Sequence, residues 1–273
     1  LKFYILVLKR FYILQIIFLI GEKLKILVSN DDGIDSLGIQ VLVETLKTIA
    51  DVTVVAPLKE QSAMGHAITM KTPLRVIKYY KNGEFFGYAV DGTPADCVKM
   101  GIRNIMETPP NIVISGINHG SNTAVNTVYS GTVSAAREAA IMDVQAIAVS
   151  VTSHTATKFD YAAKICKLLA YKLLSEPLVR GTFLNVNVPD LDEKDVKGIV
   201  FTKQGKSKWD DIYEKRQDPY GRDYYWLTGN LVVSDVEPDT DQGAINNNYV
   251  SITPHHFDST DYKTYEVIRN WKI

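Results

Sequence analysis

An apolar strand pattern, Leu24-Lys25-Ile26-Leu27-Val28-Ser29, runs directly into Asn30-Asp31-Asp32-Gly33, and no other stretch of this chain constrains its fold as much. Successive side chains on an extended strand point to opposite faces, so neighbouring aspartates can share one partner only if the backbone turns at once. Gly33 permits that turn. Two carboxylates this close repel unless a cation neutralises them or one keeps its proton. The plain alternative is an exposed Asp-Gly turn that caps the next helix, and a short motif alone does not choose between the two.

Ile39, Leu42, Leu46 and Ile49 recur at helical spacing, and residues 51–56 then read as a β-branched strand stopped by Pro57, which makes a β-α-β unit. Residues 58–70 have no clear period, whereas 74–80 and 84–90 flank Lys81-Asn82-Gly83, a strong hairpin signal. Thr93-Pro94-Ala95-Asp96 places a cap, a first-turn proline and an acid in the order that starts a helix, here running to about Asn104. Strands at 111–115 and 146–151 are separated by a polar loop and a helix that begins near Ser130-Gly131-Thr132. A helix at about 160–174 precedes strands at 182–188, 198–202 and 249–253, the last two separated by a polar, tyrosine-rich stretch. Strands alternating with helices predict the α/β class, with a mostly parallel, helix-covered sheet over residues 24–155 and an α+β portion over 156–273 that completes it.

A chain of 273 residues that is 46% hydrophobic can bury a sizeable core. Its formal net charge of -1 supplies no basic field, which disfavours binding to a nucleic-acid polymer and favours small ligands. Cys97 and Cys166 sit in apolar helical patterns without metal-site or disulfide spacing, so both read as buried, reduced thiols in a cytoplasmic protein. Residues 11–20 are apolar except for Gln15 and follow Lys9-Arg10, yet they are too few to span a bilayer comfortably. Residues 1–23 therefore read as an apolar extension outside the fold, with a membrane tether through residues 1–20 as the alternative.

In open α/β sheets, ligands bind beyond the carboxyl ends of the strands. The first such loop carries Asn30, Asp31 and Asp32, and Ser115-Gly116-Ile117-Asn118-His119-Gly120 brings amides and glycines to a second, where Asn118 is a credible oxygen ligand or an ordinary turn asparagine. Carboxylates with neutral oxygens are hard donors that suit magnesium, manganese or calcium. Tyr129-Ser130-Gly131-Thr132 leads into the alanine-rich run 133–140, and a helix N-terminus of this kind favours phosphate, unless it is simply capped. A cation and an anion site on one crevice describe phosphoryl transfer to water. A dinucleotide fold is disfavoured because the Gly-x-Gly-x-x-Gly pattern is missing after the first strand.

These segments resemble the SurE family, named for a stationary-phase survival protein, whose members are metal-dependent acid phosphatases acting as 5'/3'-nucleotidases. The resemblance rests on Asn30-Asp31-Asp32-Gly33-Ile34, on residues 60–69, on Asp91-Gly92-Thr93-Pro94-Ala95-Asp96, on Ser115-Gly116-Ile117-Asn118 and on Tyr129-Ser130-Gly131-Thr132. Asp218-Pro219-Tyr220-Gly221-Arg222 and Val250-Ser251-Ile252-Thr253-Pro254 continue it. It implies a three-layer αβα sandwich with a Rossmann-like, mostly parallel sheet. It implies a divalent cation in each subunit, Mg2+ or Mn2+, held by Asp31, Asp32, Ser62 and Asn118, with Asp31 and Asp32 catalytic and Ser130, Gly131 and Thr132 at the substrate phosphate. The substrates implied are nucleoside 5'- and 3'-monophosphates, attacked by a metal-bound water; a non-catalytic, metal-stabilised nucleotide-binding module is the alternative. A homodimer or homotetramer is implied as well, with residues 203–240 as a protruding hairpin arm exchanged between subunits. His255 and His256 depart from the pattern, since an apolar residue is expected after Thr253-Pro254.

Overall fold

The computed structural model describes residues 23–234 and 237–272. The N-terminal extension and its membrane-tether alternative fall on residues 1–22, outside the described residues. Among those described, no helix is long and apolar enough to cross a membrane.

Strand β1 (Leu24–Ser29) sends Ile26 and Val28 to one core and Leu27 to another, and all three are fully buried. A strand buried on both faces belongs inside a helix-covered sheet. Helix α1 (Leu37–Lys47) leads to β2 (Ala50–Pro57), which pairs parallel to β1. The hairpin of β3 (Val76–Lys81) and β4 (Glu84–Val90) extends that edge, and its turn has φ of 51° at Asn82 and 84° at Gly83, as a type I′ turn requires.

Helix α2 (Pro94–Met100) opens with a reciprocal capping box between Thr93 and Asp96 and continues through a π-helical turn, Gly101–Ile105. The chain then crosses to β5 (Ile112–His119), on the far side of β1 from β2. Helix α3 (Gly131–Ile141), β6 (Gln145–Val151), α4 (Asp160–Ser175) and β7 (Thr182–Val188) repeat the parallel pattern outward.

Beyond β7 come β8 (Ile199–Phe201), β9 (Lys208–Gln217), β10 (Asp223–Val232), α5 (Asp241–Asn246), β11 (Val250–His256) and α6 (Tyr262–Ile268). Strand β11 runs antiparallel to β7 and parallel to β8, so the sheet order is β3-β4-β2-β1-β5-β6-β7-β11-β8. Helices α1 and α4 cover one face, with Leu42, Leu46 and Cys166 in its core; α2 and α3 cover the other, with Cys97, Val98 and Val133. The result is an αβα sandwich, and both cysteines are free and buried.

The structure departs from the sequence pattern at β5, which does not stop at Ser115. Its register against β6 shifts between Ser115 and Asn118, and pairing resumes at Asn118 with Ser150 and His119 with Val151. A bulge re-aims the residues that follow it, so Asn118 stands at a strand end and not in a free loop. The period-2 signal is lost across such a shift.

Strands β9 and β10 form a separate antiparallel hairpin that is exposed over nearly its whole length. A parallel bridge between Lys203 and Thr240 closes its base. At its tip, the Asp218 carboxylate accepts the backbone N–H groups of Tyr220 and Arg222 at 2.8 and 3.0 Å.

His255 occupies its unexpected position by stacking on Phe183, with ring centroids 5.5 Å apart, while the Arg137 guanidinium lies 5.9 Å from the centre of the same ring. Burial, reinforced by the Arg137 charge, pushes the His255 imidazole down to about 4. Between that value and about 6.5 the unfolded chain binds a proton that the folded chain refuses, so stability is lost as pH falls through this window. Thermal denaturation of His255→Phe is expected to show a shallower loss of Tm from about pH 7 to about pH 5 than wild type. Equal slopes in the two proteins would remove His255 as the cause.

Candidate active site

Strand β1 is followed in sequence by β2 on one side and joined later by β5 on the other, so the order of the sheet reverses between β1 and β5. The carboxyl ends of two strands that diverge in this way leave a crevice. Ser29 and Ser115 are register partners there, and Asp31, Asp32 and Asn118 follow them directly.

Asp31 is 5% exposed and turned toward α3. One carboxylate oxygen accepts the Thr132 N–H at 3.0 Å, and the other accepts the Thr132 hydroxyl. Contact this close requires glycine at the preceding position. A Cβ on Gly131 would lie 2.8 Å from Asp31 Cβ and 2.9 Å from its Oδ2. Burial, opposed by the Thr132 hydroxyl and increased by the charge of Asp32, pushes the Asp31 carboxyl up to about 6.

Asp32 takes a different set of partners. Its Oδ2 accepts from His119 Nδ1 at 3.1 Å and from the His119 backbone N–H at 3.3 Å, and the imidazole packs edge-on against Phe159. Burial raises the Asp32 carboxyl as well, against the hydrogen bonds and charge of His119, and the Glu60 charge adds to the rise. Gly33 makes the turn between strand and helix with φ of 94°.

Asn118 precedes the residue whose N–H meets Asp32. Its side-chain nitrogen donates to the carbonyl oxygens of His119, at 3.1 Å, and Gly120, at 2.7 Å. Carbonyls only accept, so this orientation of the amide is fixed and its Oδ1 is the end left for a donor or a cation. Ser62 is exposed on the segment 58–70, where the neighbouring Gln61 N–H donates to the Asp31 carbonyl at 2.8 Å. The Ser62 hydroxyl donates to Glu60 Oε1 at 2.5 Å.

The structure thus brings Asp31, Asp32 and Asn118 to one crevice and Ser62 to its rim. Among the described residues, no three His, Cys, Asp or Glu side chains form a metal-type cluster, so the donor set here is carboxylate, amide and hydroxyl oxygen. That chemistry fits a hard divalent cation and not zinc or copper. The fit is strengthened by two adjacent like charges, Asp31 buried and Asp32 half-buried, and by orphaned buried oxygens, Ser29 Oγ and Ser115 Oγ on β1 and β5 and Asn30 Oδ1 just past β1.

At the N-terminus of α3, the Ser130 oxygen accepts the Val133 N–H at 3.0 Å, and both Thr132 donors are turned to Asp31. The Ser130 hydroxyl hydrogen and the Gly131 N–H have no partner among the described residues. They are the terminal donors that an anion would meet, while Thr132 orients the carboxylate. This role of Thr132, the pairing of His119 with Asp32 and the Glu60–Ser62 hydrogen bond were not legible in the sequence. Thr132 lies 101 positions from Asp31 and His119 lies 87 from Asp32, and no periodicity links them.

Fold and site together define an open, mostly parallel α/β protein with a hard-oxygen donor cluster in its switch-point crevice, facing a helix N-terminus. The family profile described as Survival protein SurE matches residues 26–211, and the chain belongs to that family. A 5'-nucleotidase SurE of Chlorobaculum tepidum is 44% identical over 252 residues, spanning 92% of this chain and 96% of the relative. A 5'-nucleotidase SurE of Syntrophobacter fumaroxidans is 45% identical over 250 residues, spanning 92% of this chain and all of the relative. The crystal structure of the SurE protein from Aquifex aeolicus superposes with a TM-score of 0.78 at 41% identity, covering 90% of this chain and 98% of that one.

Proposed function

We propose that this chain is a metal-dependent phosphomonoesterase that hydrolyses nucleoside 5'- and 3'-monophosphates to nucleoside and phosphate. One observation carries the reading: buried Asp31, next to half-buried Asp32, is locked by Thr132 onto the helix end that presents Ser130 and Gly131. A cation-holding cluster and an anion-holding terminus therefore share one wall. The relatives named 5'-nucleotidase SurE support the same chemistry.

Asp31, Asp32, Ser62 and Asn118 would hold Mg2+ or Mn2+, which supplies charge neutralisation at the phosphoryl oxygens and a more acidic attacking water. The residues do the rest. Ser130 and Gly131 donate to the phosphoryl oxygens, and the partial positive charge of the α3 terminus favours the negative charge that grows there. Thr132 aims the Asp31 carboxylate and opposes the rise that burial imposes on it, and His119 does so for Asp32. Water attack forms one bond to phosphorus as the bond to the ester oxygen breaks; the water gives up one proton and the departing ester oxygen takes one up, so the step balances.

The arm supports self-association as a homodimer or homotetramer. Trp209, Tyr213, Tyr225 and Trp226 are exposed on a two-stranded hairpin, and an isolated hairpin of this kind is marginally stable in water. Buried, unpaired Cys97 and Cys166 fit a cytoplasmic setting.

Phosphate release from a panel of nucleoside 5'- and 3'-monophosphates, measured in EDTA and then with Mg2+ or Mn2+ restored, tests the proposal. Metal-restored release is the expected result. Tight nucleotide binding without release under any metal, by folded protein, would overturn it in favour of a binding module.

A further inference from the structure

Residues 58–70, which have no periodicity, cross the crevice as a strap. Its backbone is tied at intervals: Leu58 N–H to Val90, Gln61 N–H to Asp31 and Gly65 N–H to Tyr129, at 2.8, 2.8 and 2.9 Å. Farther along, the Ala67 carbonyl accepts the Thr93 hydroxyl at 2.7 Å, and the Thr69 N–H donates to the Asp96 carboxylate at 3.0 Å. The ties leave a gap at Ser62, Ala63 and Met64, which are exposed.

Immediately after that gap, His66 Nε2 donates to Glu138 Oε2 at 2.9 Å. Among the described residues it is the one hydrogen bond that a side chain of the strap itself makes to the rest of the fold. Glu138 belongs to α3 and is 3% exposed, and its second oxygen accepts from Lys99 of α2. Burial works to raise this carboxyl, but hydrogen bonds from His66 and Lys99 hold it below the ordinary value. A buried carboxylate is kept only where its partners are fixed, so its geometry is rigid. Glu138 also sits on the same helix that fixes Asp31 through Thr132, which gives strap and carboxylate a common frame.

We propose that Glu138 is a positioning residue for cation binding: by gripping His66 it sets where the Glu60–Ser62 end of the strap stands relative to Asp31 and Asp32. This rests on the cation-binding reading of Asp31, Asp32, Ser62 and Asn118. Outer partners of this kind commonly change metal affinity by about 10-fold or more when removed.

Calorimetric titration of the full chain with Mn2+ alone tests it, with Tm recorded in parallel. His66→Ala is expected to weaken Mn2+ binding by about 10-fold, and His66→Gln, which keeps an N–H donor, is expected to recover most of the loss. Should His66→Ala not fold, His66→Leu fills the space without the donor and serves instead. Wild-type affinity in His66→Ala, or an equal loss in His66→Gln, overturns the inference while leaving the cation site standing. No Mn2+ binding by the wild-type chain overturns the cation reading itself and this inference with it.

Discussion

Replacing Asp32 by Asn is expected to lower kcat for nucleoside monophosphates by about 100-fold or more, about 2.7 kcal/mol of transition-state stabilisation. Asn has the same shape and can still accept the hydrogen bonds from His119, so the fold has no reason to fail. Without added cation, the variant should be as stable as wild type or more so, because one of two adjacent like charges is gone. Loss of turnover together with a preserved or raised Tm separates a role in the reaction from one in folding. Near-normal turnover in the folded variant would sink the assignment of Asp32.

Gly131→Ala is expected to damage the same site from the opposite wall. Ala suits a helix interior better than Gly by about 1 kcal/mol, so at Gly131, the first residue of α3, propensity on its own predicts at most that gain. The added Cβ, however, would meet Asp31 Cβ at 2.8 Å and Oδ2 at 2.9 Å, with Pro94 Cγ at 3.1 Å behind it. Overpacking of this kind costs about 1–3 kcal/mol, so the clash equals or exceeds the helical gain. The carboxylate is what must move, and misplacement by about 1 Å can cost about 100-fold in rate. The measurement is kcat and Tm side by side. A large fall in kcat with a small change in Tm is expected, whereas unchanged kcat would show that Asp31 need not stand where Thr132 holds it.

Much of the fold was legible because its elements announce themselves locally. β1, the hairpin at Asn82-Gly83 and the capping box at Thr93 each carry their signal within a few residues, and all form as read. Other parts were not legible. The continuation of β5 past Ser115 depends on pairing with Ser150 across a register shift, which no single-strand pattern encodes. Helix α6 carries exposed Tyr262, Tyr265, Val267 and Ile268, so it has no apolar face turned to the core from which its period could be read.

The candidate site divides in the same way. Asp31, Asp32 and the helix start at Ser130 stand out because an acidic pair after a strand and a Ser-Gly-Thr before an alanine run are local chemistry. Ser62 carried no such signal and came only from the family resemblance, and Glu138 carried none at all. What the sequence by itself determined is most of the strands and helices, the acidic turn and the terminus that faces it, because periodicity and capping act within one or two turns of chain. Only the tertiary structure decided that Thr132 would hold Asp31, that His119 would hold Asp32 and that Glu138 would grip the strap. Those contacts join residues 72 to 101 positions apart, and the order of the sheet, not any local preference, brings them together.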